Sequence, residues 1–308
     1  MKLHPFSNMT DISVLIVAKK DTEHLMQTIN SVVNWTKEVI IIDIGISKEM
    51  LSEIKKTTAT IIAHDGTVTY ADQIRNKITK YASSSYVFFL DPDEVVPNDL
   101  QKYIQDNYLK YDALSLPRKN IIFEKWIQHA RWWPDHQLRL YKKNIGTWEP
   151  EIHSKPVVNG TIHQVEPKEE CALIHYNYKN LDHYIEKMTR YAKAEADDYL
   201  KGGNTFTLSI ALSKGTQEFI SRYFAGDGYK DGMHGFVLSF MQLMYYPLVY
   251  FYYWEGIKYE KHSQTDLIAA SLNHFKDILL QSNHWIITKK LNPSISRIKQ
   301  KILSMILK

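Results

Sequence analysis

Tyr86-Val-Phe-Phe-Leu90-Asp91-Pro92-Asp93-Glu94 joins five consecutive apolar residues to three acids. A short apolar run of β-favouring types reads as a buried strand, so the acids are expected at its carboxyl end. Upstream, Ile12-Ser-Val-Leu-Ile-Val-Ala18 reads as another buried strand, and Val39-Ile-Ile-Ile42 as one that ends on Asp43. Thr60–Ala63 reads as a further strand. Residues 22–35, 48–57 and 70–82 read as the intervening helices, the first with Leu25, Ile29, Val32 and Val33 at helical spacing. Strands alternating with helices predict an α/β domain with a mainly parallel, Rossmann-like sheet covered on both faces. Ligands bind such sheets outside the carboxyl ends of the strands, so Asp43 and Asp91 are expected to face one crevice.

The acids suit a particular ligand. A nucleoside diphosphate is charged and oxygen-rich, and a hard divalent cation bridges it to carboxylates. One acid can then serve the ribose and another the metal. A capped turn before a helix starting near Pro97 is the alternative, because Asp and Pro favour turns. Arg75, on a predicted helix with Gln73 and Asn76, offers a fork of donors to phosphate or to the acids, or else belongs to a solvated helix face. In Trp132-Trp133-Pro134-Asp135, aromatic rings can stack on the C–H face of a sugar while the carboxylate accepts a hydroxyl proton. A core Trp pair beside a surface Asp is the alternative. His153 and His175 each follow an isoleucine and read first as structural histidines. The sequence holds no His-x-x-x-His or Cys cluster, so a zinc site is not expected.

Residues 113–116 and 137–141 read as short strands among Trp- and Pro-containing loops, and the chain becomes helical after about His175. Across 308 residues, 38 basic against 34 acidic side chains give a net charge of only +4, which does not point to nucleic acid. A single cysteine, Cys171, excludes a disulfide framework and fits a reducing cytosol. The first eleven residues lack the apolar core of a secretory signal. Residues 236–254 are the most apolar stretch, interrupted by Ser239, Gln242 and Pro247. Tyr and Trp crowd its second half, residue types that favour a membrane interface, although a buried helix pair would use them too. In 294–308, Ile295, Ile298, Ile302, Met305 and Ile306 fall at helical spacing among Arg297, Lys299, Lys301 and Lys308. A basic amphipathic helix of this kind lies on anionic membrane surfaces, unless it packs on its own domain.

Taken in order, residues 12–21, 39–45, 73–76, 87–94, 133–140, 174–178 and Gly228-Tyr-Lys-Asp-Gly-Met-His-Gly235 resemble the family 2 glycosyltransferases of GT-A fold. The pattern is most like that of bacterial lipopolysaccharide-core β-glycosyltransferases. The resemblance implies a GT-A domain over 1–180 and a helical, membrane-associating region over 181–308. It implies an inverting transferase acting on a nucleotide-sugar donor, with UDP as the nucleotide, and on a glycan or glycolipid acceptor held at the membrane. Its place would be the cytoplasmic face of the inner or plasma membrane. By the same resemblance Asp43, Arg75 and Asp91 would hold the donor, Asp93 and His153 would bind Mg²⁺ or Mn²⁺, and Asp135 would be the catalytic base. The chain departs from the pattern at Lys20-Asp21, usually Asn-Glu, and at Ile44-Gly45-Ile46-Ser47-Lys48, usually Ser-Gly-Ser-x-Asp. It also has Ser154 where relatives often carry Glu. A nucleotidyltransferase, releasing pyrophosphate, and a non-catalytic nucleotide-sugar- or glycan-binding relative are the alternatives.

Overall fold

The structure, a computed structural model, describes residues 9–19, 23–64, 72–148, 156–202 and 206–291. The chain begins β1 (Thr10–Ala18), α1 (Leu25–Asn30), β2 (Thr36–Asp43), α2 (Lys48–Ile54), β3 (Thr60–Ala63), α3 (Asp72–Ile78) and β4 (Tyr86–Leu90). It continues with β5 (Glu94–Val95), α4 (Asn98–Asn107), β6 (Ala113–Leu116), β7 (Arg118–Ile122), β8 (Lys125–Trp126) and β9 (Gln137–Lys142). Next come β10 (Gly146–Trp148), β11 (Pro156–Val158), β12 (Ile162–Gln164) and β13 (Leu173–Tyr178). The helices α5 (Leu181–Gly202), α6 (Leu208–Phe219), α7 (Met233–Gly256) and α8 (Gln264–Thr288) follow.

Two compact units emerge, residues 1–121 with 133–177, and 122–132 with 178–308. In the first, seven strands pair in the order β12-β6-β9-β4-β1-β2-β3. β1 runs parallel to β2 and β4, β2 to β3, and β12 to β6, while β9 is antiparallel to both its neighbours. The mainly parallel α/β sheet is therefore present. β1 and β4 sit at its centre because both their faces can be buried. Ile12, Val14 and Ile16 pack with Leu25, Ile29 and Leu100 on one side, whereas Leu15 and Val17 pack with Ile74, Phe89 and Trp148 on the other. That alternation is the two-residue period of a strand. In register, Ala18 lies opposite Asp43 and Ile16 opposite Leu90, so β2 and β4 end at the same edge on either side of β1.

In the second unit α7 packs on α5 and α6, and α8 packs on α6. The aromatic half of α7 does not form an outward belt. Tyr245, Tyr246, Tyr250, Tyr252, Tyr253 and Trp254 gather around Ala192, Ala196, Phe206 and Ala211. Small residues on α5 and α6 leave room for these rings, and burial then outweighs their interfacial preference. Pro247 cannot donate to the carbonyl of Leu243, and Gly215 fills the space beside it: a Cβ there would come within 2.2 Å of that oxygen. Asp231, in the Gly-rich segment before α7, accepts from the backbone amides of Gln128 (3.3 Å) and His129 (2.9 Å), which secures the 122–132 excursion within this unit. Among the described residues no helix is long and apolar enough to cross a membrane. The amphipathic stretch 294–308 lies outside the described residues.

Candidate active site

The chemistry gathers where β4 ends. Asp91 follows the last residue of that strand, and its two carboxylate oxygens are taken by different arginines. Oδ1 accepts from Arg75 Nη2 at 2.7 Å, and Oδ2 accepts from Arg139 Nη2. Glu94, fully buried, turns back under it: Oε2 accepts the Asp91 amide (3.1 Å), while Oε1 accepts from Arg139 (2.6 Å) and Arg118 (3.1 Å). Arg118 then reaches Asp135 with two donors, Nε at 2.9 Å and Nη2 at 2.5 Å, both on Oδ2. Asn120 Nδ2 reaches the same oxygen at 3.1 Å, and Gln137 Nε2 donates to Oδ1 at 2.8 Å.

Burial alone would push the Asp91 carboxyl up, but Arg139, Arg75 and Arg118 overcome it and hold the group well below the usual carboxylate range. Burial likewise acts upward on Asp135, and Arg118 with the Asn120 and Gln137 hydrogen bonds brings it down. The guanidiniums of Arg118 and Arg139 are raised, because the neighbouring carboxylates outweigh their own desolvation. Both acids are thus anions at neutral pH. The buried side of the cluster is Glu94, Arg75 and Arg139, whereas Asp91, Asp93 and Asp135 keep a solvent-facing edge. A ligand would meet carboxylates first, with guanidiniums beneath them.

Asp93 lies two residues beyond Asp91, and its Oδ1 is 3.7 Å from His175 Nε2. His175 sits opposite Glu94 in the pairing of β5 with β13. Its Nδ1 is 2.7 Å from Asn120 Oδ1. Because Asn120 turns its amide nitrogen to Asp135, the oxygen faces His175, and Nδ1 must carry the proton. Nε2 faces the Asp93 carboxylate. With Nε2 unprotonated, His175 and Asp93, 3.7 Å apart, would be able to hold one cation between them. Among the described residues no group of three or more His, Cys, Asp or Glu could hold a metal. An imidazole and a carboxylate suit a cation that arrives with phosphate ligands of its own, as Mg²⁺ commonly does.

Of the residues singled out by sequence, Asp91, Arg75 and Asp135 belong to one hydrogen-bonded network, and Asp93 stands beside it through His175. Asp43 closes β2 at the same edge of the sheet, but its Oδ1 accepts from Gly45 (2.8 Å) and Ile46 (2.7 Å) in its own turn. Gly45 is needed there, at φ +123°. Ile46 is buried in the core, which accounts for an apolar residue at a position where the family pattern is polar. Arg75 is no solvated helix residue: its guanidinium lies 4.2 Å from the Trp148 ring centroid. Asn76 is structural, exchanging two hydrogen bonds with the Trp148 backbone (2.5 and 2.7 Å). Trp132 packs with Ile122, Ile127 and Tyr184 in the helical unit, as a core tryptophan. His153, Ser154 and the Lys20-Asp21 pair lie outside the described residues.

Sequence reasoning passed over Arg118, Asn120 and Arg139 and took His175 as structural. A signal existed for two of them. Arg139 stands between Leu138 and Leu140 inside a strand, and His175 and Asn177 alternate with Ile174 and Tyr176 on the buried face of β13.

Residues 13–157 match the family model for glycosyl transferase family 2. The chain is 26% identical over 247 residues to an uncharacterized glycosyltransferase of Rickettsia typhi, covering 75% of this chain and 82% of that one. It is 23% identical over 253 residues to one of Rickettsia conorii, covering 74% and 84%. Among solved structures, S. aureus TarS 1–349 in complex with UDP-GlcNAc is similar at 12% identity and a TM-score of 0.41, with 76% of this chain and 81% of that one covered.

Proposed function

We propose that this chain, whose residues 13–157 match the glycosyl transferase family 2 model, is a member of that family and moves a sugar with inversion from a nucleotide-sugar, a UDP-sugar, to a glycan. The acceptor is membrane-anchored or lipid-linked, such as a lipopolysaccharide core, at the cytoplasmic face of the inner or plasma membrane. One observation carries the reading: four carboxylates, Asp91, Asp93, Glu94 and Asp135, converge with three guanidiniums, Arg75, Arg118 and Arg139, at the end of a central strand. Of these, Asp91 and Asp135 stay ionised and, with Asp93, face solvent, as a donor site for a metal-bound diphosphate requires.

Asp91 is held in one orientation by Arg75 and Arg139 and, with Asp43, serves the nucleoside. Mg²⁺ or Mn²⁺, held by Asp93 and His175 with His153 a further candidate, would neutralise charge on the leaving diphosphate. Asp135 is the base. Its Oδ2 is saturated by Arg118 and Asn120, whereas among the described residues Oδ1 accepts only from Gln137, which leaves lone-pair capacity for an acceptor hydroxyl. A carboxylate depressed by an arginine is a weak base. It takes the proton as the hydroxyl oxygen bonds to the anomeric carbon and becomes acidic.

The test is turnover of a donor panel with Mn²⁺ and a soluble acceptor, following nucleoside diphosphate and pyrophosphate separately. Asp135→Asn keeps the shape and removes the basicity, so kcat should fall by about 10²–10⁴-fold with donor affinity unchanged. Release of pyrophosphate would replace the reading by nucleotidyl transfer. Donor binding without turnover under any condition would favour a scaffold.

A further inference from the structure

Helix α8 is apolar on two sides. Along one, Ala270, His274, Ile278 and Trp285 turn toward the rest of the helical unit. Ile278 and Trp285 pack against Phe219, Ile220 and Phe224, and His274 Nδ1 is 3.0 Å from the Thr216 hydroxyl. Along the other, Ile268, Leu272, Phe275 and Leu279 recur at spacings that keep them on one line of the helix. These four face water: Leu272 is 65% exposed and Phe275 68%. A helix docked by one face ordinarily presents polar residues on the other, and a contiguous exposed apolar patch marks an interaction surface. α7 carries a second line of the same kind, Met233, Phe236, Phe240, Met244 and Phe251.

The sequence after α8 identifies what covers this stripe. Residues 289–308 contain six basic side chains, Lys289, Lys290, Arg297, Lys299, Lys301 and Lys308, and no acid. Of the chain's 38 basic and 34 acidic residues, 32 and 34 remain for the other 288 positions, so the whole positive excess resides in this stretch. A second copy docking on the same face would bring a second cationic stretch beside the first. An anionic lipid surface answers both features: acyl chains take the apolar side chains and headgroups take the lysines.

We propose that the Ile268, Leu272, Phe275 and Leu279 face of α8 is a docking surface for an anionic lipid bilayer, engaged side-on without spanning, with 289–308 supplying the electrostatic attraction. This deepens the membrane placement in the proposed function and rests on that reading, although none of these residues belongs to the acid–arginine cluster.

The test is flotation of the full chain with phosphatidylcholine vesicles and with vesicles that also contain phosphatidylglycerol, at low and high salt. Wild type should float with the anionic vesicles only, and less as salt rises. Leu272→Ser with Phe275→Ser should weaken partitioning by about tenfold or more, since two large side chains no longer leave water. Lys299→Glu with Lys301→Glu should weaken it too and flatten the salt dependence. Equal flotation of the serine variant and wild type would overturn the role of α8, and no flotation of wild type would overturn the proposal. If light scattering shows a dimer that the serine variant converts to monomer, without vesicle binding, a second copy is the occupant and the lipid proposal fails. Turnover of a soluble acceptor, measured on the same samples, should not change. It reports on the glycosyl-transfer reading separately.

Discussion

The sheet unit hides charge and the helical unit exposes hydrocarbon. Beneath Asp91, a fully buried Glu94 meets the buried guanidinium of Arg139 and that of Arg118, while on α8 a phenylalanine stands two-thirds exposed. Each reverses the ordinary partition of residue types between interior and surface. They differ in how the reversal is resolved. Among the described residues, the buried Arg75, Glu94 and Arg139 each have an opposite charge at hydrogen-bond distance, so Asp91 and Glu94 are fixed before any ligand arrives. Among the described residues the apolar stripe has no such partner on its outer side. Compensated violations of the partition organise a site, and uncompensated ones mark a contact.

The largest effect should come from breaking the compensation. Arg139→Met would leave Asp91 with Arg75 alone and Glu94 with Arg118 alone, in a place where water cannot replace the missing donor. Removing one partner of a buried pair typically costs about 3–5 kcal/mol. The urea midpoint should fall accordingly. A loss under about 1 kcal/mol would mean that the cluster is more hydrated than its burial indicates.

Much of the sheet was legible in sequence and little of this compensation was. Thr60–Ala63, Tyr86–Leu90 and Ala113–Leu116 form the strands that their apolar runs predict, because local pattern and burial agree there. α1 stops at Asn30, short of the residue 35 anticipated, where the chain turns through Ser31–Trp35 into β2. Asp91, Arg75 and Asp135 announced themselves by acids after an apolar run, an arginine in the preceding helix and an aromatic context. Their partners did not, because pairing at separations such as 45 residues for Arg139–Glu94 and 55 for His175–Asn120 depends on strand order rather than on neighbours in sequence. The aromatic half of α7 was open for a related reason: composition cannot distinguish rings facing lipid from rings packed on the alanines of α5 and α6, where most of them lie partly buried.

A smaller perturbation sharpens the electrostatic side. Burial acts upward on Asp135, yet Arg118 brings its carboxyl below the usual value, so it stays ionised as pH falls through the ordinary carboxylate range. Its folded value is depressed relative to the unfolded one of about 3.9. The stabilisation it contributes is therefore fully present above that value and is lost as pH falls through the lower, folded one. Arg118→Met removes the main opposing charge. Asp135 should then titrate higher, and the acid limb of the kcat/KM profile should move up in pH relative to wild type. An unmoved limb would show that the limb reports another group.

The smallest effect should lie at the opposite pole of the comparison. Leu272→Ser replaces a large apolar side chain, which in a packed core would cost several kcal/mol through lost transfer energy and a cavity. Here Leu272 is 65% exposed and points away from the face of α8 that packs on Phe219, Ile220 and Phe224. No cavity forms, and little area leaves water on folding. The intrinsic helix preference of Ser is only a few tenths of a kcal/mol below that of Leu. The change in unfolding free energy without lipid should therefore stay within about 0.5 kcal/mol, measured by urea titration beside Arg139→Met. A loss of 2 kcal/mol or more, roughly that of burying a whole leucine, would mean that the stripe is covered within the protein in solution. The contrast between a compensated interior and an uncovered surface would then fail at α8.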